Sequence, residues 1–171
     1  MNVLDFAMKM EGDGKAYYEN LAKTTDLPGL QSIFSWLAED EQKHYEIFRA
    51  LKAGNTSTTM PETEILDTAR NVFALLPRGT KVISDVSGAL DAYQHAMKLE
   101  ADSCKLYEDA AAKEEDTATR NLLLRIAEEE RKHFTVLENL YNFVNAPNQH
   151  LSWSEFSNVD EFRQFGRDVD D

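Results

Sequence analysis

The sequence predicts an all-α protein: a bundle of four long helices, paired as two antiparallel hairpins and joined by a long crossover. Three observations lead there. Seven Gly and four Pro among 171 residues leave long segments without breakers, which suits helices better than the many turns of an all-β chain. Apolar residues recur at spacings of three and four through four such segments, the period of a helix with one buried face. The second half of the chain also repeats the first. "AMKMEGD" at 7–13 returns as "AMKLEAD" at 96–102, and "AEDEQKHY" at 38–45 returns as "AEEERKHF" at 127–134, both shifted by 89 residues.

The elements follow in order. A first helix is expected from about Asn2 to Thr25, with Leu4, Met8, Glu11, Tyr18 and Leu21 on one face. "TDLPG" at 25–29 breaks it, and Pro28 suits the first turn of a second helix that runs to about Lys52 and stops at Gly54. Residues 55–86 form the crossover, long enough to run from one end of a bundle to the other, with a short helix near Glu62–Leu75. A third long helix is expected from about Ser87 to Lys113, carrying Tyr93, Met97, Glu100, Cys104 and Tyr107 on one face. The fourth runs from about Thr117 to Asn145, where Pro147 stops it. Residues 1–146 thus form the bundle, from halves of about 3–54 and 87–145, and residues 147–171 are an aromatic and acidic tail of the same domain. In that tail "SWSE" at 152–155 has the form of a capping box and opens a short helix bearing Trp153, Phe156, Phe162 and Phe165; "DVDD" at the end is expected to be disordered.

Bulk properties exclude several partners. A net charge of −13 argues against nucleic acid or an anionic membrane surface, both of which want a basic face. No stretch approaches the eighteen or so apolar residues of a membrane span, and "MNVLDFAMKM" lacks a signal-peptide core. Cys104 is the single cysteine, so the chain has no internal disulfide and no Cys-x-x-Cys metal knuckle. A soluble cytoplasmic protein is the expectation.

The apolar stripes have conspicuous gaps. In the second helix Leu30, Ile33, Phe34, Leu37, Phe48 and Leu51 make one face, and Glu41 and His44 fill its interval. In the fourth, Glu130 and His133 interrupt Leu123, Ile126, Leu137, Leu140 and Val144 in the same way. Glu11 and Glu100 occupy equivalent points of the first and third helices. Register brings these groups together: Glu11 and Glu41 lie roughly 24 Å and 21 Å from the turn of their hairpin, and Glu100 and Glu130 match in theirs. If the halves pack about a pseudo-two-fold axis, all six side chains meet in the middle of the bundle.

Four carboxylates gathered in a core would each cost on the order of several kcal/mol without compensation. Two divalent cations supply it, balancing four negative charges with four positive. A Glu and a His three residues apart on a helix face can reach one ion, and oxygen-rich ligation with one imidazole per ion suits iron or manganese. A single Glu-x-x-His is a weak signal; two at the repeat offset, each preceded by a matching Glu, are a strong one.

One Glu from each of two helices and a Glu-x-x-His from each of the other two is the ligand pattern of ferritin-like di-iron carboxylate bundles. Over about residues 3–145 the chain resembles the rubrerythrin branch of that superfamily. The resemblance implies two iron ions, with manganese or zinc as substitutes, held by Glu11, Glu41, His44, Glu100, Glu130 and His133. Either Glu41 and Glu130 or Glu11 and Glu100 bridge them, and each His takes one. It implies reduction of peroxide or dioxygen by Fe(II)/Fe(III) cycling in defence against oxidative stress, by a homodimer. Rubrerythrins usually carry a rubredoxin domain with two Cys-x-x-Cys pairs, so here electrons come from a separate donor such as a rubredoxin. Their additional Glu, one turn after the third-helix ligand, is Ser103 here, which makes the site more symmetric.

Further residues have smaller expected roles. Tyr18 and Tyr107, seven residues after Glu11 and Glu100, are placed to bond ligand carboxylates as in related sites, or simply to pack. Asp40 and Glu129 are placed to accept the free N–H of the His from the opposite half. Cys104 reads as a core residue, and His95 and His150 as surface residues. Two other functions compete with peroxide reduction: ferroxidation with iron storage, which needs a large hollow oligomer, and a metal-stapled interaction module without catalysis.

Overall fold

A computed structural model describes residues 2–60, 62–75 and 90–145. These form the expected all-α ferritin-like bundle, with five helices and no strand among the described residues: α1 Val3–Thr24, α2 Pro28–Lys52, α3 Ile65–Leu75, α4 Leu90–Lys113 and α5 Thr117–Asn145. α1 packs along α2 and α4 along α5, and α3 lies across α2 and α5.

Local chemistry sets the ends. Asn2 is extended and its side chain accepts the Leu4 N–H at 2.8 Å, capping α1. Pro28 opens α2, where a missing N–H costs no hydrogen bond. Gly54 terminates that helix at φ +83°, a left-handed conformation that suits glycine. Before α5 the Asp116 carboxylate accepts the Thr119 N–H at 2.8 Å, and the Arg120 guanidinium bonds the Glu114 carbonyl at 2.6 Å, tightening the second hairpin turn.

The short crossover helix begins at Ile65, three residues later than the pattern of apolar residues suggested. Thr63 explains the delay: its hydroxyl oxygen accepts the Ile65 N–H at 3.3 Å, and its own N–H is taken by the Glu129 carboxylate. Ile65, Ala69 and Phe73, each four apart, bury one face of α3 against the bundle. The expected start of the third long helix at Ser87 and the tail from 147 onward, His150 and the aromatic helix included, lie outside the described residues.

The apolar core is divided in two. One cluster contains Leu30, Ile33, Phe34, Leu37, Tyr93, Met97, Phe134, Leu137 and Leu140. The other contains Ala7, Ile47, Phe48, Leu51, Cys104, Tyr107, Leu123 and Ile126. Between them lies a layer of buried charged side chains. No described helix is long and apolar enough to cross a membrane.

Candidate metal centre

Six ionisable side chains make up that layer: Glu11 from α1, Glu41 and His44 from α2, Glu100 from α4, and Glu130 and His133 from α5. None is more than 4% exposed. The apolar stripes carry them inward, since each replaces a hydrophobic residue on a buried helix face. All six sequence candidates therefore come together.

They arrange as two overlapping groups. Glu11, Glu41, His44 and Glu130 offer ligand atoms within 4.8 Å of one another, and so do Glu41, Glu100, Glu130 and His133. Glu41 and Glu130 belong to both. The pseudo-two-fold is close: His44 Nδ1 lies 2.8 Å from Glu130 and 3.4 Å from Glu11, while His133 Nδ1 lies 3.0 Å from Glu41 and 3.6 Å from Glu100. The imidazole rings stack with centroids 5.7 Å apart.

The donor set fits metal. Glu11 Oε2, Glu41 Oε1, Glu130 Oε1 and both Nδ1 atoms are buried without a properly aligned hydrogen bond. Orphaned buried polar atoms are costly. Here they face one another, so divalent cations would satisfy all of them together.

Four of the six side chains are also held from behind. His44 Nε2 is 2.9 Å from Glu129 Oε2, and His133 Nε2 is 3.2 Å from Asp40 Oδ2. Each partner comes from the opposite half of the repeat, and each precedes a cluster Glu. A proton held at Nε2 leaves Nδ1 free to face the cluster. Tyr18 donates its hydroxyl to Glu100 Oε1, and Tyr107 donates to Glu11 Oε1.

Electrostatics splits the four carboxylates into two kinds. Burial pushes Glu41 well up, and the charges of Glu11 and Glu100 push it further. Glu130 is raised by burial and then by Glu41, Glu100 and Glu11. Glu11 is raised by burial too, but the proximity of Glu41 and His44 outweighs this and lowers it. In Glu100, burial is outweighed by the charge of His133 beside it. Both histidines are pushed down by burial, yet the acidic neighbours, Glu11 for His44 and Glu100 for His133, raise them well above the ordinary range. Burial and mutual repulsion thus favour the protonated form of the shared pair Glu41 and Glu130, while the neighbouring histidines favour the charged form of Glu11 and Glu100. Burial also raises the Tyr18 and Tyr107 phenols, keeping them as donors.

The other candidates separate cleanly. Cys104 is buried in the core, its thiol pushed up to about 11 by burial. His95 is exposed, with its ring 5.4 Å from that of Tyr17.

Two residues were not singled out by sequence reasoning. Thr63, in the crossover, bonds both Asp40 and Glu129. It sits in an irregular segment, where no periodicity could point to it. Gly14 is the repeat equivalent of Ser103, and a Cβ there would lie 3.2 Å from Glu41 Oε2. Gly14 and Ser103 line one cavity of about 90 Å³ with Met10, Tyr18, Glu41 and Glu130.

The family model described as Rubrerythrin matches residues 2–141 of the chain. No curated protein and no solved structure matches it.

Proposed function

Because the chain belongs to the rubrerythrin family of di-iron carboxylate proteins, we propose that it is a non-haem oxidoreductase reducing peroxide or dioxygen with electrons from a separate protein. The observation that carries this reading is the pair of overlapping ligand groups sharing Glu41 and Glu130. Glu11 and His44 would hold one iron, Glu100 and His133 the other, and Glu41 and Glu130 would bridge them. Two ferrous ions, when bound, supply the two electrons that convert one peroxide and two protons to two waters.

The protein's own part is to shape and dry the site. The two apolar clusters close it above and below, which strengthens every electrostatic interaction within it. Tyr18 and Tyr107 orient Glu100 and Glu11 through their hydroxyl protons. The cavity beside Gly14 and Ser103, about 90 Å³, has room for roughly three water-sized molecules. An oxidant of two heavy atoms fits there, beside Glu41, Glu100 and Glu130. The clustered carboxylates favour a neutral oxidant over an anion.

Cys104 is buried and is the sole cysteine of the 171 residues, and we propose that a rubredoxin-like protein delivers the electrons. We further propose a homodimer.

Anaerobic loading with Fe(II), followed by mixing with peroxide or air, tests the reading. Oxidation of two ferrous ions per peroxide, and sustained turnover once a reducing rubredoxin is added, is the expected result. Accumulation of ferric iron far beyond two ions per chain, in a large hollow oligomer, would instead establish iron storage. Metal uptake without oxidation by either oxidant would leave the interaction-module reading.

A further inference from the structure

Thr63 is bonded to both carboxylates that stand behind the histidines. Its hydroxyl donates to Asp40 Oδ2 at 2.5 Å, and its backbone N–H donates to Glu129 Oε1 at 2.9 Å. Asp40 Oδ2 is in turn 3.2 Å from His133 Nε2, and Glu129 Oε2 is 2.9 Å from His44 Nε2. An unbroken chain of hydrogen bonds thus runs from His44 through Glu129, Thr63 and Asp40 to His133. It passes through the crossover, the part of the described chain that has no counterpart in the repeat.

We propose that Thr63 is a positioning residue of the metal centre, orienting His133 through its hydroxyl and His44 through its backbone N–H. The proposal rests on the two-ion reading of the centre. It also breaks the symmetry of that centre. The link to His133 is a side chain and can be removed by substitution, whereas the link to His44 is main chain and survives it. Asp40 keeps a second donor, Lys43 Nζ at 2.9 Å from Oδ1, so loss of the Thr63 hydroxyl loosens Asp40 without freeing it.

The competing explanation is structural. The Thr63 hydroxyl oxygen also accepts the Ile65 N–H at 3.3 Å, so the residue caps α3, and a cap contributes stability with no bearing on metal. The two roles differ in what they do to one ion rather than the other.

Calorimetric titration with Mn(II) separates them without any turnover. In a His44→Ala background the remaining ion depends on His133, and adding Thr63→Val should weaken it about 3- to 10-fold, less than direct loss of an outer-shell partner. In a His133→Ala background the same substitution should leave the remaining affinity unchanged. Thr63→Ser, which keeps the hydroxyl, should restore the first affinity. Should the valine variant misfold, Thr63→Ala is read in the same way. Equal loss in both backgrounds, or a serine variant as weak as valine, would overturn the proposal and leave a cap. A wild-type protein that fails to take up two Mn(II) would sink the two-ion reading itself, whatever Thr63 does.

Discussion

Tyr18 of α1 donates its hydroxyl to Glu100 of α4, and Tyr107 of α4 donates to Glu11 of α1, so each hairpin orients a carboxylate of the other. All four groups are buried. The exchange welds the two halves at the level of the centre, and an apolar side chain in either tyrosine's place would leave a buried carboxylate oxygen short of a donor. Tyr18→Phe should therefore weaken the ion held by Glu100 and His133 about tenfold, and Tyr107→Phe the ion held by Glu11 and His44. Mn(II) titration of each variant measures this. Equal loss at both ions in both variants would show that the tyrosines only pack.

Two overlapping ligand groups would accommodate two ions per chain. Elemental analysis after loading under reducing conditions should give that ratio. His44→Ala and His133→Ala should each lower it toward one, because each ring serves only one group. A wild-type ratio of one or less would contradict the shared-carboxylate arrangement.

Gly14 sets two effects against each other. An alanine in mid-helix gains about 1 kcal/mol over glycine in helix propensity. Its Cβ, however, would stand 3.2 Å from Glu41 Oε2, tighter than ordinary contact. Glu41 can yield by a few tenths of an ångström, so fold stability should hold or rise while the carboxylate is displaced from its shared position. We expect Gly14→Ala to melt no lower than wild type without metal, yet to bind both ions more weakly, because both groups share Glu41. Thermal melts and titrations on the same preparation check both halves. A lower melt with unchanged metal binding would mean that the helix moves and Glu41 does not.

The layer of six charged residues was legible because the repeat marks each one twice and the apolar stripe shows which way it points. The carboxylates behind the histidines were legible for the same reason, since Asp40 and Glu129 are repeat equivalents beside the ligand positions. What the stripe does not encode is which helices become neighbours at a given height. The crossing of Tyr18 to Glu100 depends on the packing of α1 near α4, and no local spacing reports that. Thr63 was hidden more deeply, since its partners lie 23 and 66 residues away and its own segment has no period. Gly14 was hidden because a close approach leaves no mark except the absence of a side chain.

Removing the metal should invert the usual dependence of stability on pH. Glu41 and Glu130 have folded values well above the ordinary 4.5, so the folded chain keeps protons that the unfolded chain has released. Their contribution is full below about 4.5 and is lost as pH rises through the folded values. His44 and His133, raised above the ordinary 6.5, act in the same direction: their contribution is full below 6.5 and is lost as pH rises through their own folded values. Glu11, Glu100 and Asp40 oppose this. Their values are lowered, so they support the fold above the ordinary carboxylate range and lose that support as pH falls through the depressed values. The apo protein should accordingly be most stable in mildly acid solution and melt at progressively lower temperature toward neutral and alkaline pH. Metal reverses the trend, since binding needs deprotonated ligands and its stabilising increment grows with pH. Glu41→Gln combined with Glu130→Gln supplies the neutral, protonated-like form at every pH. That variant should melt higher than wild type at neutral pH without metal, show a flatter pH dependence, and fail to take up two ions. Melts of apo and loaded protein from about pH 5 to 8 decide the matter. A double variant that melts lower than apo wild type at neutral pH would mean that Glu41 and Glu130 are not the protonated pair.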